Sequence, residues 1–394
     1  MNLFYLFFFF LKQEIQKPPV PFHTEGRWIM DAENKRFKFA GVNWYGFEEL
    51  DYVPAGLEIL HVDQISKKIS SLGFNSVRLP FSIEMTLEKN PVSDSVIFSN
   101  PQMKGMKPIE VMDAVIESLW REGIVVILDN HSSEAVWYSL ENGLWYTEDY
   151  PEESWIRSWE NLALRYKNHP GVVGFDLRNE LRGGVTWGGA KETDWRGAAL
   201  RAGEAVLKID PSKLIVVEGI NYASDLSGVS KNPISFSIPN RVVYSIHDYS
   251  WFHPQFQDYE EMKKDFDYLW GFLLEDGKPW ASPVWIGEFG TCSNDPSCVE
   301  DSSAGGFWFL NFIRYLKEND VDWAYWPLNG TMANGETRVY GSVDWYGILD
   351  KTWEDISLKE LLVILQEIQQ VKKLFFLIFP TLQAFSLVQV LFLF

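Results

Sequence analysis

The sequence predicts an α/β protein whose main domain is a single (β/α)₈ TIM barrel with long loops after its strands. Short apolar strands alternate with helical patterns along the 394-residue chain, and eight such strands can be counted. Each strand is a nearly continuous apolar run, as in parallel sheets that helices cover. Polar or aromatic residues follow at the carboxyl ends of the strands, where barrel enzymes carry their sites.

A doubly wound open sheet is the alternative fold for this alternation. It would carry a glycine-rich phosphate-binding turn after its first strand. The first predicted strand is followed by no such turn, since the segment there reads "GVNWYGFEEL". The closed barrel is therefore the better prediction.

The first half of the barrel contains four predicted strands. They are "RFKFAGVNWYGF", "FNSVRLPFS", "IVVILDNHSS" and "GVVGFDLRNEL". A helical pattern precedes each of the last three: "HVDQISKKISSLG", "VMDAVIESLWREG" and "ESWIRSWENLALRYKNHP". Apolar residues recur on one face of these patterns, and glycine, proline or asparagine marks their ends.

The second half repeats the same unit four times. Its strands are "KLIVVEGI", "RVVYSIHDYS", "PVWIGEFG" and "VDWAYWPLNG". A longer loop precedes the second of these strands, and a helical pattern precedes each of the other three. The helical patterns are "DWRGAALRAGEAVLKIDP", "YEEMKKDFDYLWGFLLEDG" and "GFWFLNFIRYLKEND". A last helix, "SLKELLVILQEIQQ", is predicted to begin with a capping box from Ser357 to Glu360. Its expected buried stripe is Leu358, Leu361, Leu362, Leu365 and Ile368.

Composition and charge exclude some classes of partner. The chain is 46% hydrophobic, enough for a large core, and its formal net charge is -19. Such an acidic surface repels phosphate backbones, so we expect no nucleic-acid partner. The 18 tryptophans exceed what a core needs, and this excess favours rings that stack on a ligand.

The two cysteines, Cys292 and Cys298, exclude metal sites of the multi-cysteine kind. A local disulfide between them is the preferred interpretation, and it would suit an oxidising compartment. Two free thiols are the alternative, which the sequence does not separate from the first.

The two ends of the chain give conflicting indications. Residues 1–22 are an apolar segment that resembles the remnant of a secretory signal, although it lacks a positively charged start and a small-residue cleavage site. Residues 374–394 form an apolar tail with the length of a membrane span, and Lys372 and Lys373 before it favour a cytoplasmic globular part. We expect residues 23–373 to form the enzyme domain of a secreted or endomembrane monomer, and membrane association stays open.

Polar and aromatic residues end most of the predicted strands. They are Arg78 on strand two, His131 on three, Asn179 and Glu180 on four, Glu218 on five, His247 and Tyr249 on six, Glu288 on seven and Trp326 on eight. In a barrel these ends meet at one rim, so the side chains are expected to converge on one cleft.

The residue types at this rim favour glycoside chemistry. The rim has no serine in a nucleophile elbow, no cysteine at a strand end and no histidine pair at metal spacing, so we expect neither a metal nor a cofactor. Glu180 and Glu288 are two carboxylates in an aromatic cleft, and two carboxylates that flank a glycosidic bond are sufficient to hydrolyse it. Phosphate substrates would instead require lysines or glycine-rich loops.

Several motifs together resemble the family 5 glycoside hydrolases, the cellulase family among the retaining (β/α)₈ barrels of clan A. The motifs are "GFDLRNEL", "VWIGEFGT", "SVRLPFS", "YSIHDYSW" and "WAYWPLNG", and the resemblance extends from about Trp28 to about Trp353. It implies that Glu180 is the acid/base and Glu288 the nucleophile of a double displacement.

The resemblance also implies the substrate contacts. Asn179 would hold the sugar 2-hydroxyl, Arg78 and Tyr249 would hold Glu288, and His131, His247 and Trp326 would line the subsite of cleavage. The implied activity is hydrolysis of a β-linked glucan, mannan or related oligo- or polysaccharide through a covalent intermediate. A transglycosylase on the same substrates and a non-catalytic carbohydrate-binding barrel are the alternatives.

Other residues near the rim have alternative or supporting roles. Trp44, Trp137, Trp145 and Trp345 are expected either to stack on sugar or to anchor loops by burying inward. Asp176 and Arg178 are interpreted as ion partners in the barrel or loops, and Glu218 as a residue beneath the site.

Overall fold

Eight parallel strands close into a barrel in the computed structural model, which describes residues 15–136, 141–335 and 338–369. The predicted fold class is therefore confirmed. A two-stranded hairpin, β1 (His23–Glu25) and β2 (Trp28–Met30), precedes the barrel. The barrel strands are β3 (Ala40–Asn43), β4 (Ser76–Ser82), β5 (Val125–Ser132), β6 (Val172–Asp176), β7 (Leu214–Glu218), β8 (Val242–Asp248), β9 (Val284–Phe289) and β10 (Asp322–Tyr325). Each strand pairs with its neighbour in sequence, and β10 pairs with β3 to close the ring.

Helices follow most of the strands and pack on the outside. They are α1 (Val62–Ser71), α2 (Ile83–Leu87), α3 (Pro108–Arg121), α4 (Glu152–Arg165), α5 (Trp195–Ile209), α6 (Ile220–Ala223), α7 (Tyr259–Leu269), α8 (Ala304–Asn319) and α9 (Lys359–Gln366). Short 3₁₀ turns lie at Pro101–Met103, Ser227–Ser230, Ser250–Phe252, Gly271–Leu274 and Pro296–Val299. None of the helices in the described part of the chain is both long and apolar enough to cross a membrane.

α3 shows how the sequence forms the outer layer. It begins with Pro108, whose missing N–H costs nothing in the first turn. Val111, Val115 and Leu119 are buried at helical spacing and face the strands. The helix ends next to Gly123, whose φ of 75° stops the helix and turns the chain into β5.

The β1–β2 hairpin packs at the amino-terminal end of the barrel. Phe22, just before the hairpin, is buried and stacks on Phe37 at 4.5 Å between ring centres, while Phe39 approaches it edge-on at 5.5 Å. These rings share an apolar cluster with inward residues of the strands such as Ile127 and Val216. The lower half of the barrel is therefore apolar, and polar side chains occupy the opposite end.

Two details differ from the predictions. The capping box at Ser357 is wrong, because α9 begins after Leu358 and Ser357 Oγ instead donates to the carbonyl of Leu349. Arg78 does not end its strand, since β4 continues four residues further to Ser82. The side chain of Arg78 therefore points into the barrel from the middle of the strand. Of the two end segments, residues 1–14 and 370–394 lie outside the described residues.

Candidate active site

A cleft of about 390 Å³ opens at the carboxyl end of the barrel. Its walls combine two carboxylates with aromatic rings. The lining residues are His131, Glu180, Tyr222, Tyr249, Trp251, Phe252, Glu288, Trp326 and Tyr346. The cleft thus brings together residues from strands that are distant in sequence, as a barrel rim requires.

Glu180 and Glu288 face each other in this cleft. One oxygen of each carboxylate and one ring nitrogen of His247 all lie within 4.8 Å of one another. The Nδ1 atom of His247 is 2.9 Å from Glu180 Oε1 and 3.7 Å from Glu288 Oε2. Both glutamates are about 95% buried, with exposures of 4% and 5%. Two carboxylates can therefore act on the two atoms of one bond in the cleft.

Arg78 and Tyr249 hold the Glu288 carboxylate. Arg78 Nη1 donates to Oε1 at 2.5 Å, and the Tyr249 hydroxyl donates to Oε2 at 3.0 Å. Both oxygens are thus directed, and the positive guanidinium stabilises the negative carboxylate. A carboxylate fixed in this way is suited to attack rather than to proton donation.

The rest of the Arg78 guanidinium contacts three other acids beneath the cleft. Nε donates to Asp176 Oδ2 at 2.9 Å, and Nη2 lies 3.0 Å from Glu218 Oε1 and 3.1 Å from Asp129 Oδ2. Burial alone would lower the pKa of Arg78, but these carboxylates and Glu288 raise it well above its usual value. Burial and the charge of Glu218 in turn raise the pKa of Asp176 well above its usual range. The acids around Arg78 therefore favour its charged form, while burial and the neighbouring Glu218 oppose ionisation of Asp176.

Arg78 also orients the amide of Asn179. Its Nη2 donates to Asn179 Oδ1 at 2.8 Å, so the oxygen faces the barrel. The Nδ2 group of Asn179 then lies on the side of His131, 3.4 Å from Nε2. This orientation leaves the amide as a donor toward the cleft.

The backbone of Glu180 adopts an unusual conformation. Its φ is 41°, in the left-handed region that non-glycine residues rarely adopt. The Glu180 N–H donates to Glu218 Oε2 at 2.6 Å, and this bond holds the turn after β6. Strained backbone of this kind clusters at functional sites, where the surrounding structure enforces it.

The two histidines of the site both favour the protonated form. Burial alone would lower the pKa of His247, but the charges of Glu218 and Glu288 and hydrogen bonds to Glu180 and Glu218 raise it well above its usual value. Burial opposes protonation of His131 as well, and Asp129, 2.7 Å from its Nδ1, raises its pKa. The neighbouring carboxylates therefore favour protonation of both rings.

Trp326 forms an aromatic wall of the cleft. Its ring stacks on Tyr45 at 5.2 Å with an interplanar angle of 8°, and on His131 at 5.7 Å and 15°. Only 9% of Trp326 is exposed. A flat and rigid apolar surface is thus presented next to the carboxylates, as stacking on a sugar ring requires.

The predicted site residues divide into two layers. His131, Glu180, Tyr249, Glu288 and Trp326 line the cleft. Just beneath them lie three almost fully buried residues, Arg78, Asn179 and His247. Arg78 therefore contacts protein side chains, such as that of Asn179, and does not face the cleft. Glu218 lies in this lower layer, in contact with Arg78.

Asp176 and Arg178 make ion pairs, as the sequence suggested. Asp176 bonds to Arg78, and Arg178 bonds to Glu141 in the loop after β5. Neither residue lines the cleft.

The structure places the described tryptophans with two expected roles, Trp44, Trp145 and Trp345, in different environments. Of the two roles expected for Trp44 and Trp145, the structure shows the inward one, because both are fully buried. Trp44 Nε1 donates to the carbonyl of Ala55, and Trp145 Nε1 donates to Glu152. Trp345 is 62% exposed, and Trp137 lies outside the described residues.

Sequence reasoning missed part of the cleft and part of its support. Tyr222, Trp251 and Phe252 line the cleft from the loops after β7 and β8, yet only their aromatic character marks them. Asn43 and Asp129, which contact Arg78, could have been predicted from the sequence as buried polar partners. Each is a polar residue inside an otherwise apolar strand, and a polar residue there must find a buried partner.

Cys292 and Cys298 form a disulfide in the loop after β9. Within this loop the hydroxyl of Thr291 donates to the carbonyl of Cys298, and Tyr325 Oη donates to the carbonyl of Thr291. The pairing therefore stabilises the chain directly after the strand that carries Glu288.

Among the residues that the structure describes, two clusters have potential metal-ligand atoms within 4.8 Å of one another. One consists of Glu180, His247 and Glu288, and the other of Asp129, Asp176 and Glu218. The Arg78 guanidinium contacts all three acids of the second cluster and takes the place of a cation.

Comparisons with known proteins agree with this geometry. A family model described as cellulase (glycosyl hydrolase family 5) matches residues 30–331. An endoglucanase from Paenibacillus polymyxa is 37% identical over 345 residues, which are 82% of this chain and 83% of that protein. The major extracellular endoglucanase of Xanthomonas campestris pv. campestris is 39% identical over 350 residues, covering 82% of this chain and 68% of that protein.

A solved structure extends the likeness to three dimensions. It is the cellotetraose complex of an endocellulase from Pyrococcus horikoshii, with a TM-score of 0.75 and 27% sequence identity. The match covers 90% of this chain and 100% of that chain.

Proposed function

Because the chain belongs to the cellulase family, glycosyl hydrolase family 5, we propose that it is a retaining endoglucanase that cleaves β-1,4-linked glucan chains. The relatives named as endoglucanases and the cellotetraose complex of a similar fold support this choice of substrate over mannan. The aromatic-lined cleft suits a polysaccharide chain that lies along it.

The separation of the two carboxylates is the observation that carries the proposal. Retaining glycosidases place their carboxyl groups about 5 to 5.5 Å apart, whereas inverting enzymes need about 6.5 to 9.5 Å to admit a water molecule. One oxygen of Glu180 and one of Glu288 lie within 4.8 Å of each other, which is compatible with the shorter separation.

In the first proposed step Glu288 attacks the anomeric carbon. The bond from that carbon to the leaving oxygen breaks as the new ester bond to Glu288 forms, and Glu180 gives its proton to the leaving oxygen. Arg78 and Tyr249 keep Glu288 aligned for the attack.

In the second step water releases the sugar. The Glu180 carboxylate takes a proton from water, the water oxygen bonds to the anomeric carbon, and the ester bond to Glu288 breaks. His247 lies between the two glutamates, and its positive charge compensates the carboxylate that each step leaves behind.

Asn179 and Trp326 contact the sugar that is attacked. The Nδ2 group of Asn179 donates to the 2-hydroxyl, and this bond strengthens as positive charge develops on the ring. Trp326 supports the apolar face of the sugar. Both contacts favour the transition state, which is the requirement for catalysis.

We also propose that residues 23–373 form the catalytic domain and that the enzyme is secreted. The disulfide between Cys292 and Cys298 and the extracellular relative in Xanthomonas support secretion.

A panel of polysaccharides tests the substrate. Carboxymethylcellulose, barley β-glucan and mannan are incubated with the protein, and viscosity and reducing ends are followed together. We expect a rapid fall in viscosity with few new ends on the glucans, since internal bonds are cut. Glu288→Gln is expected to lose this activity, and Glu160→Gln, an exposed glutamate on α4, to keep it.

Two results would contradict the proposal. Faster hydrolysis of mannan than of either glucan would refute the substrate, and full activity of Glu288→Gln would refute the nucleophile. Longer oligosaccharides accumulating in place of hydrolysis products would instead identify a transglycosylase.

A further inference from the structure

Arg338, in the loop after β10, lies over a column of rings that ends in the cleft. Its guanidinium carbon is 4.1 Å from the centre of the Tyr45 ring. Tyr45 stacks on Trp326 at 5.2 Å, and Trp326 stacks on His131 at 5.7 Å. Arg338 itself is not among the residues that line the cleft. Arg338 contacts the cleft through the Tyr45 ring, and its guanidinium carbon is also 5.8 Å from the centre of the Trp326 ring.

The Tyr45 ring in this column is fixed in place. Its hydroxyl donates to Asp344 Oδ2 at 2.6 Å. Asn329 bonds to both sides of the Tyr45 backbone, with its Oδ1 accepting from the N–H at 3.3 Å and its Nδ2 donating to the carbonyl at 3.1 Å. Burial raises the pKa of Tyr45 well above its usual value, so the phenol keeps the proton that it donates.

Two buried acids hold the guanidinium of Arg338 against this ring. Its Nη1 is 3.0 Å from Glu49 Oε1 and 4.0 Å from Glu48 Oε1. The side chains of these acids are only 2% and 3% exposed, and that of Arg338 is 10% exposed. A cation over an aromatic face is attracted more strongly when both are withdrawn from water.

Gly335 lets the loop approach these acids. A Cβ atom built on Gly335 would lie 2.1 Å from Glu49 Oε2, so any larger residue there would displace the Glu49 carboxylate. The Arg338 N–H donates to the Gly335 carbonyl at 3.2 Å, so the same close approach places Arg338. Gly335 therefore allows the loop to place the Arg338 guanidinium next to Glu49.

We propose that Arg338 is a positioning residue of the cleft, which fixes the tilt of the Trp326 ring both through Tyr45 and through its own contact, 5.8 Å from the centre of the Trp326 ring. The inference rests on the proposed function, in which Trp326 supports the sugar that Glu288 attacks. A small error in the position of the reacting carbon costs rate more than affinity, because attack requires near-contact geometry.

Steady-state kinetics on cellotetraose test this role. Arg338→Met keeps the length of the stem and removes the charge, and we expect kcat to fall about tenfold while KM changes little. Arg338→Lys restores the cation and is expected to recover part of kcat. Arg314→Met is the matched control, because Arg314 lies 3.7 Å from the ring of Tyr259 and pairs with Glu318 on the outside of α8. We expect no change in kcat for the control.

A double-mutant cycle separates positioning from a general structural effect. If Arg338 acts through Trp326, then Arg338→Met has no further effect on kcat/KM in a Trp326→Ala background. An equal fold loss in both backgrounds would overturn the proposal, and so would an unchanged kcat in Arg338→Met. Arg338→Gln takes the place of the methionine variant if that variant does not fold.

A measurement without turnover completes the test. The protein is labelled with 5-fluorotryptophan, and the ¹⁹F resonance of Trp326 is assigned by its loss in Trp326→Phe. We expect Arg338→Met to shift or broaden this resonance and Arg314→Met to leave it unchanged. An unmoved resonance would refute the positioning role. A wild-type protein that hydrolyses no β-glucan would refute the proposed function alone, since the resonance still decides the role of Arg338.

Discussion

Glu180 combines a strained backbone with a buried carboxylate. Its φ of 41° costs about 1 to 3 kcal/mol for a non-glycine residue, and Glu218 enforces it through the bond to the Glu180 N–H. The result is a side chain that lies 2.9 Å from His247 instead of following the direction of β6. The strain thus places the proposed acid beside the proposed nucleophile.

The acid role of Glu180 predicts a dependence on the leaving group. Glu180→Ala is expected to lose about 10³-fold in kcat/KM on cello-oligosaccharides, whose leaving group needs a proton. Formation of the covalent intermediate from a dinitrophenyl cellobioside is expected to persist, because dinitrophenolate leaves without one. Added azide is expected to speed the second step and give a β-glycosyl azide.

Pre-steady-state and product measurements check this prediction. Glu180→Gln, which preserves the shape of the side chain, serves as the control for the space left by alanine. Equal losses on both classes of substrate would show that Glu180 is not the proton donor.

At the scale of elements, a buried ion pair joins the loop after β5 to the turn after β6. Arg178 bonds to Glu141, and its Nη1 donates to Asn130 Oδ1 at 3.0 Å. Glu141 Oε1 also accepts from the N–H groups of Ser133 and Glu134, at 2.6 and 3.0 Å. Burial alone would raise the pKa of Glu141, but the charge of Arg178 and these bonds lower it. The loop is therefore held at the edge of the site by a charged pair.

Breaking this pair is predicted to destabilise the fold. Arg178→Met leaves a buried, uncompensated carboxylate, and we expect a loss of about 3 kcal/mol in the free energy of unfolding. Adding Glu141→Gln is expected to restore part of that loss. Urea unfolding measures both, and Lys317→Met is the control because its pair with Glu367 is more than half exposed. A loss under 1 kcal/mol for Arg178→Met would contradict the prediction.

The sequence specifies the elements better than the direction of each side chain. All eight barrel strands fall within the predicted segments, because buried parallel strands and amphipathic helices leave distinct periods. The choice between the two expected roles of Trp44 follows from its position beside Asn43. Asn43 bonds to Arg78 inside the barrel, so the next residue along the strand must point outward. The burial of Trp145 could not be predicted in this way, because its loop has no repeating pattern of apolar residues. Trp145 packs against Trp195, which is distant in sequence, with 5.9 Å between the ring centres.

The site shows the same division. The residues that do chemistry follow strands and could be assigned from their positions, whereas Arg338 reaches its place through a loop. Its partners Glu48 and Glu49 are almost three hundred residues earlier in the chain. No local pattern predicts which charges such loops bring together.

At the scale of the whole molecule, buried groups that hold extra protons link stability to pH. Burial, aided by the charge of Glu49, raises the pKa of Glu48 to about 7. Asp176, His131 and His247 also have raised pKa values for the reasons given above. Between the unfolded and folded pKa values the folded state binds more protons, so stability falls as pH rises through that window. The net charge of -19 acts in the same direction.

Glu48 gives this linkage a specific prediction. Its folded pKa of about 7 lies above an unfolded value near 4.5, so the free energy of unfolding is expected to fall by roughly 3 kcal/mol between pH 4.5 and pH 7 through this group. Glu48→Gln removes that contribution and flattens the curve. Urea unfolding at several pH values measures the slope, with Glu160→Gln as the exposed control. The same slope in wild type and Glu48→Gln would contradict the linkage.

The stereochemistry of the first product tests the double displacement most directly. Proton NMR follows the anomeric signals while the enzyme cleaves a cello-oligosaccharide, before mutarotation mixes the anomers. Two carboxylates this close predict that the β-anomer appears first, since two inversions at the same carbon give net retention. Initial release of the α-anomer would mean a single displacement by water and would contradict the assignment of Glu288 as the nucleophile.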